Sequence, residues 1–331
     1  MDIELIRSLR GSKQNIWQEF LVKAGLEADR HVEETALIWD GDTLIATGSR
    51  QGNLLKCIAV DPAWQGEGLL AKVLTALRQS AFQDGHRHLF LYTKPANAPL
   101  FSGLLFYPVA QTGDVLLMED KKNGIAEYIE SLIPQEHPGT VGAAVMNCDP
   151  FTLGHQYLIE TAAKGCDHLY IFVLSEDKGC FRSSDRLEMV RRGIAHLSNV
   201  TVLPTGPYLI SSATFPTYFL HNRDQADVIH CQLDVEIFAR YFAPAFHIQR
   251  RYVGTEPLSA MTNQYNEVLK ASLPPRGIDV VEIPRLTKDE LPISASAVRE
   301  TYHNGDWASV SSLVPITTYD YLQNLQQEVT Q

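Results

Sequence analysis

The stretch TVGAAVMNCDPFTLGHQYLIETAAKGCDHLYIFVLS, Thr140–Ser175, decides the fold. Two short apolar runs, TVGAAVMN and DHLYIFVLS, bracket a proline-containing loop and a segment of helical period, GHQYLIETAAKG. Runs of that length flanked by turn residues read as buried strands, and the middle segment reads as their crossover helix. A strand, a crossover helix and a second strand make a parallel pair. The pattern continues outward. SSDRLEMVRRGIAHL reads as a helix with a Ser/Asp start, and NVTVLP, RRYVG and DVVEIP read as further strands. This alternation predicts a doubly wound parallel sheet over residues 138–331.

In such a sheet, ligands collect at the carboxyl ends of the strands. The loop NCDPFTLGH lies at one of those ends and opens a helix, whose free N–H groups and partial positive charge suit phosphate. Thr152 and His155 are three residues apart, so they share one face of the first turn. Gly154 is a poor helix former, and its place is explained by a close approach of phosphate or backbone. A hydroxyl and an imidazole directed at one phosphate would stabilise charge developing at phosphorus. A capped helix with a surface histidine is the plainer reading of the same four residues. Near the other end, LPISASAVRE places Ser294 and Ser296 before a helical stretch, with Arg299 three residues on. Hydroxyls, helix N–H groups and a guanidinium form a second anion cradle, although a simple N-cap has the same spelling.

The rest of the 331-residue chain narrows the function classes. The net charge of −11 is spread over both halves with no basic stripe, which argues against nucleic acid as a partner. The five cysteines, Cys57, Cys148, Cys166, Cys180 and Cys231, form no Cys-x-x-Cys pair. We expect free thiols in a reducing cytoplasm rather than a zinc site or a disulfide framework. The opening MDIELIRSLRGSKQ has no apolar core of a signal peptide, and no run is long enough to span a membrane. The Pro134–Pro138 link divides the chain into a domain over 1–134 and a domain over 138–331. In the first, TALIWDGDTLIATGSRQGNLLKCIAV reads as a three-stranded antiparallel meander. Leu70, Val73, Leu74 and Leu77 then mark a helix stopped at Gly85, and HRHLFLYTK a further strand.

Two resemblances follow from these residues. The strand, NCDPFTLGH, the helix and the later ISASAVR together resemble the nucleotidylyltransferase superfamily, a Rossmann-like fold with a (His/Thr)-x-Gly-His signature. The resemblance implies ATP binding and attack at the α-phosphorus, with pyrophosphate leaving. Thr152 and His155 would contact phosphates, with Asn147, Pro150, Phe151 and Gly154 on the same nucleotide-binding loop. Ser294, Ser296 and Arg299 would hold the β- and γ-phosphates. Ala295 and Ala297 stand where a serine and a threonine are usual. Three more stretches, YLISSATFPTYFLH, YVGTEPLSAMTNQYNEVLK and DKGCFRSSDRLEMVRRG, are similar to the citrate lyase ligase family. That implies Gly254 and Glu256 in the adenosine pocket, Lys178 and Arg182 over the triphosphate, and Ser212, Thr214 and Tyr218 near the carboxylate or thiol substrate. Read without the resemblance, Lys178, Arg182 and Arg186 are a solvated face and the hydroxyl residues satisfy turns.

In the first domain VDPAWQGEGLLAKVL resembles the pyrophosphate loop of the GNAT acetyltransferases, with Gln65, Gly66 and Gly68 in place for coenzyme A and a large Leu70 at the last small position. KPANAPLFSGLLFYPV resembles a later segment of that fold, with Asn97, Phe101 and Phe106 in place and Leu105 where glycine is usual. The combined expectation is an α/β chain, a GNAT-like α+β domain followed by the doubly wound one. The implied reaction joins acetate to the thiol of a coenzyme A-like group on the citrate lyase acyl carrier protein. It uses ATP, with Mg²⁺ carried by the nucleotide. Two rivals stay open: an adenylyltransferase that makes a nucleotide cofactor, and a non-catalytic assembly factor.

Overall fold

A computed structural model describes residues 2–210, 215–220, 225–256, 260–288 and 291–330. The chain divides into two compact units, Met1–Gly124 with Pro216–Ile229, and Ile125–Phe215 with His230–Gln331. No helix among the described residues is long and apolar enough to cross a membrane.

The first unit runs β1 (Ile3–Arg7), α1 (Gly11–Lys23), β2 (Glu34–Asp40), β3 (Thr43–Gln51), β4 (Leu54–Val60), α2 (Leu69–Gln83), β5 (Phe90–Thr93), α3 (Ala98–Ser102), β6 (Tyr107–Gln111) and β7 (Leu116–Glu119). Its sheet has the order β1-β2-β3-β4-β5-β7-β6. Only β4 and β5 are parallel. The meander read from the sequence is therefore β2-β3-β4. The outer β1 escapes a periodicity reading because it is a five-residue edge strand. Helix α2 buries Val73, Leu74 and Leu77 against the sheet. Gly48, where the β3–β4 register shifts, permits this: a Cβ there would lie 2.6 Å from Val73 Cγ1.

The second unit runs α4 (Gly124–Ser131), β8 (Val141–Met146), α5 (Leu153–Lys164), β9 (His168–Val173), α6 (Ser183–Gly193), β10 (Val200–Pro204), α7 (Ala226–Ile237), a π-helical turn at Phe238–Phe242, α8 (Ala243–Ala245), β11 (Arg250–Gly254), α9 (Ala260–Ser272) and β12 (Asp279–Ile283). The small pair β13 (Thr287–Lys288) and β14 (Leu291–Pro292) and the helices α10 (Ala295–His303), α11 (Trp307–Leu313) and α12 (Ile316–Thr330) complete it. The contact division thus shares the ends of α4 and α7 between the two units.

The five-stranded sheet is parallel throughout, in the order β10-β9-β8-β11-β12. The chain winds outward one way from β8 through β9 to β10, then restarts beside β8 with β11. The switch point therefore lies between β8 and β11, where an open α/β sheet leaves a crevice. One face of the sheet is covered by α5, α6 and the C-terminal helices, with Phe151, Ile159, Met189, Val298 and Leu322 in its core. Phe172, Phe242 and Phe246 pack on the other face, with edge-to-face rings 5.3 Å apart. Such pairs add about 0.5–1.5 kcal/mol each beyond area burial.

Candidate active site at the amino end of α5

Thr152 is the N-cap of α5 and makes a reciprocal capping box with His155. The His155 amide donates to Thr152 Oγ1 (3.3 Å), and the Thr152 amide donates to His155 Nδ1 (3.1 Å). Glutamate or glutamine usually completes this box, so histidine in that place is a specific choice. Nδ1 is held as an acceptor, which leaves the proton of the neutral ring on Nε2. Burial and the Arg285 guanidinium lower the imidazole from its ordinary 6.5 to about 4. At neutral pH, His155 is therefore an uncharged donor through Nε2–H. Thr152 is only 1% exposed, and its hydroxyl lies 3.0 Å from His155 Nδ1. The Thr152 hydroxyl is thus turned to the imidazole of His155 and away from solvent. Phe151 and Pro150 are buried too, with Phe151 stacked on the His155 ring at 6.0 Å. They form the floor under the histidine rather than a surface open to ligand.

Gly154 answers to backbone. A Cβ there would lie 3.1 Å from the Ile293 carbonyl oxygen, so the Ile293–Ser294 chain is what the missing side chain admits. This close approach joins the two anion motifs of the sequence. Ser294 caps α10, accepting from the Ala297 amide (3.2 Å), and Ser296 Oγ accepts from Arg299 Nη2 (2.9 Å). Both hydroxyls are used as acceptors here, and each keeps its O–H to donate. Arg299 Nη1 donates to the Asp149 carbonyl and lies 3.7 Å from its carboxylate.

Asp149 organises the neighbouring loop. Its carboxylate, 5% exposed, accepts from the Cys180 and Phe181 amides (3.0 and 2.9 Å). Gly179 makes room for it, because a Cβ there would fall 2.6 Å from Asp149 Oδ2. Asp177 accepts from the Ser183 amide, which holds its carboxyl below the usual range. Lys178 and Arg182 stand exposed on this pinned loop. Arg186 overturns the reading as a solvated face: it is fully buried and donates to the Asn147 carbonyl (2.7 Å), to Asn147 Oδ1 and to the Glu176 carbonyl. With its oxygen engaged, Asn147 presents its amide N–H₂ at the end of β8. Cys148 is 1% exposed, and burial pushes its thiol up, which makes it inert.

Across the switch point, Gly254 ends β11. Its carbonyl accepts from Asn266 Nδ2 (2.9 Å), and a Cβ there would press on Leu158. Glu256 has a buried side chain paired with Arg285, whose amide donates to Thr255 Oγ1 (3.0 Å). Sequence reasoning missed Arg285 and Asp149. The usable signal was position, since each follows a strand's carboxyl end by two or three residues. Tyr218 belongs to the first unit, where its hydroxyl donates to the Tyr92 carbonyl (3.2 Å) and the residue is 7% exposed. Ser212 and Thr214 lie outside the described residues. In the first unit Gln65, Gly66 and Gly68 form an exposed loop into α2, with both glycines at positive φ.

The family model for the citrate lyase ligase C-terminal domain matches residues 141–322. Citrate pro-3S-lyase ligase of Klebsiella pneumoniae is 46% identical over 290 residues, covering 86% of this chain and 85% of that protein. The ligase of Escherichia coli K12 is 40% identical over 324 residues, covering 95% and 91%. That of Haemophilus influenzae is 36% identical over 324 residues, covering 96% and 97%. With a capped histidine, a serine–arginine cradle and a parallel-sheet switch point in one unit, and relatives matched over nearly their full length, the chain belongs to the citrate lyase ligase family.

Proposed function

We propose that this protein activates citrate lyase by acetylating the thiol of its coenzyme A-like prosthetic group, using ATP and acetate. A carboxylate oxygen of acetate attacks the α-phosphorus, the bond to the β-phosphate oxygen breaks, and pyrophosphate leaves with the electron pair. The thiol sulfur then attacks the acetyl carbon, the bond to AMP breaks, and the thiol proton passes to solvent. Acetate is a poor electrophile, and the mixed anhydride makes it reactive.

The observation that carries this reading is the Thr152–His155 box, which fixes a neutral Nε2–H donor at a helix amino end. A donor held before the reaction stabilises developing phosphoryl charge without reorganising. Ser294, Ser296, Arg299 and the exposed Lys178 and Arg182 take the leaving pyrophosphate. Mg²⁺ enters with the nucleotide, as is usual for such sites. The first unit recognises the coenzyme A-like arm through the Gln65–Gly68 loop.

The test is pyrophosphate release from ATP, with and without acetate and deacetylated lyase. Release that needs acetate, with acetyl appearing on the lyase thiol, is expected. Release that ignores acetate but responds to a phosphorylated pantetheine or nucleotide favours the adenylyltransferase. No release under any condition favours the assembly factor.

A further inference from the structure

Arg251 is the second residue of β11, on the sheet face opposite α5, and is 2% exposed. Its guanidinium lies 4.5 Å over the Phe238 ring, in the π-helical turn. Its Nε and Nη1 are buried and have no hydrogen-bond partner. Asp234 of α7, 6% exposed, feels the Arg251 charge but spends its carboxylate on the Tyr265 hydroxyl. His230 of α7, 5% exposed, donates through Nε2 to the Ile210 carbonyl (2.9 Å) and has no partner at Nδ1.

A buried guanidinium with two idle N–H groups is expensive unless an anion completes it. The face beside it is also open. Arg251 pairs across to Ala143, so Val145 shares its side of the sheet, and Val145 keeps solvent access on a central strand whose first four residues are buried. The register sets Arg251 level with Ala143, two residues before Val145, on the strand that forms the second wall of the β8–β11 switch point.

We infer that Arg251 anchors the carboxylate of the small acid substrate, with Tyr265 and Asp234 holding the guanidinium's surroundings and Phe238 and Val145 offering apolar contact to its alkyl part. A monocarboxylate fits better than a phosphate dianion, because the Asp234 carboxyl group, within electrostatic reach of both Arg251 and Glu176, already stands near the guanidinium. This inference rests on the ligase reading for the identity of the acid, while the site itself rests on the unpartnered guanidinium.

The experiment combines steady-state pyrophosphate release at varied acetate and ATP with saturation-transfer NMR of acetate on the full-length protein. In Arg251→Gln, the acetate KM is expected to rise about tenfold or more, the loss typical of a charge-assisted hydrogen bond, with the ATP KM nearly unchanged. The acetate NMR signal should disappear in Arg251→Gln and persist in His155→Ala. If Arg251→Gln does not fold, Arg251→Lys and Tyr265→Phe decide, each with a several-fold rise in acetate KM alone. A folded variant with parental acetate KM and parental acetate binding overturns the site, as does a wild-type protein with no acetate signal. If wild type releases pyrophosphate without acetate, the ligase reading fails. Loss of the acetate signal in Arg251→Gln would even then establish the carboxylate site.

Discussion

Two loops in this chain enter helices through glycine and carry anion-binding resemblances, yet they are built differently. The Gln65–Gly68 loop before α2 is exposed, has no side-chain cap, and places Gly66 and Gly68 at positive φ with nothing within 4 Å of an added Cβ. It offers backbone amides alone. The Asn147–His155 loop before α5 is capped reciprocally, and Arg186, Asp149 and Arg299 tie it to α6 and α10. It offers side chains whose direction is already fixed. A loop of backbone amides suits recognition of a diphosphate arm, whereas fixed side chains suit a transition state.

The sharpest way to break this comparison is His155→Ala. If the capped imidazole is the charge-stabilising donor, acetate-dependent turnover should fall about 10²–10³-fold, while Gly68→Ala, which strains the other loop's backbone at φ +71°, should act mainly on lyase affinity. Near-parental turnover of His155→Ala would remove the distinction. The same residue predicts a pH signature. Its folded-state pKa lies below the unfolded value, so its contribution to stability is complete above about 6.5. That contribution is lost as pH falls toward about 4. An NMR titration of the His155 ring should show a midpoint near 4, and a midpoint near 6.5 would contradict the desolvated, neutral ring.

Asp149→Asn tests whether the second loop is rigid because of one carboxylate. The amide keeps the shape but turns an N–H₂ toward one of the Cys180 and Phe181 amides and removes the charge facing Arg299. A loss of about 2–3 kcal/mol in urea unfolding is expected, the usual cost of charge-assisted bonds left unmade. A change below about 0.5 kcal/mol would mean that the loop is held by packing instead.

What the sequence revealed divides along the same line. Periodicity recovers β8, α5, β9 and α6, because each buries a continuous apolar face, and the Thr-x-Gly-His spacing marks the turn that carries the reciprocal cap. It does not reveal that Thr152 is buried or that Arg186 is an interior residue, because both facts depend on what folds over them. Arg285 and Arg251 carry no local motif, and only the folded chain, which pairs the first with Glu256 and sets the second over the Phe238 ring, gives them meaning. Gly154 was legible as a close approach, but whether phosphate or backbone approaches was not.

Gly154→Ala sharpens that last point. Alanine favours a helix by about 1 kcal/mol, while its Cβ would press on the Ile293 carbonyl at 3.1 Å. Stability should therefore stay within about 1 kcal/mol of the parent, while turnover falls roughly fivefold as the serine cradle shifts by a few tenths of an ångström. A parallel loss of both would show that the glycine serves packing only.

The smallest effect concerns the first unit, and it separates the two regions by what each tolerates. Helix α2 ends in a Schellman turn: His86 donates to the Ala81 carbonyl (2.9 Å) and Gly85 to Phe82 (3.1 Å), with Gly85 at φ +88°. Helix α3 ends the same way, with Phe106 donating to Phe101 (3.1 Å) and Leu105 to Ser102 (3.2 Å), but here Leu105 holds the left-handed position at φ +62°. A leucine in that conformation costs roughly 1–2 kcal/mol. Its side chain is 62% exposed and returns little burial energy. Replacing it with glycine relieves the strain and loosens the unfolded chain, for a net gain of about 0.5–1 kcal/mol in the urea midpoint. Should Leu105→Gly instead lose stability, the leucine is retained for what it touches, and an exposed apolar side chain beside the Gln65–Gly68 unit's own sheet would become the first place to look for contact with the lyase.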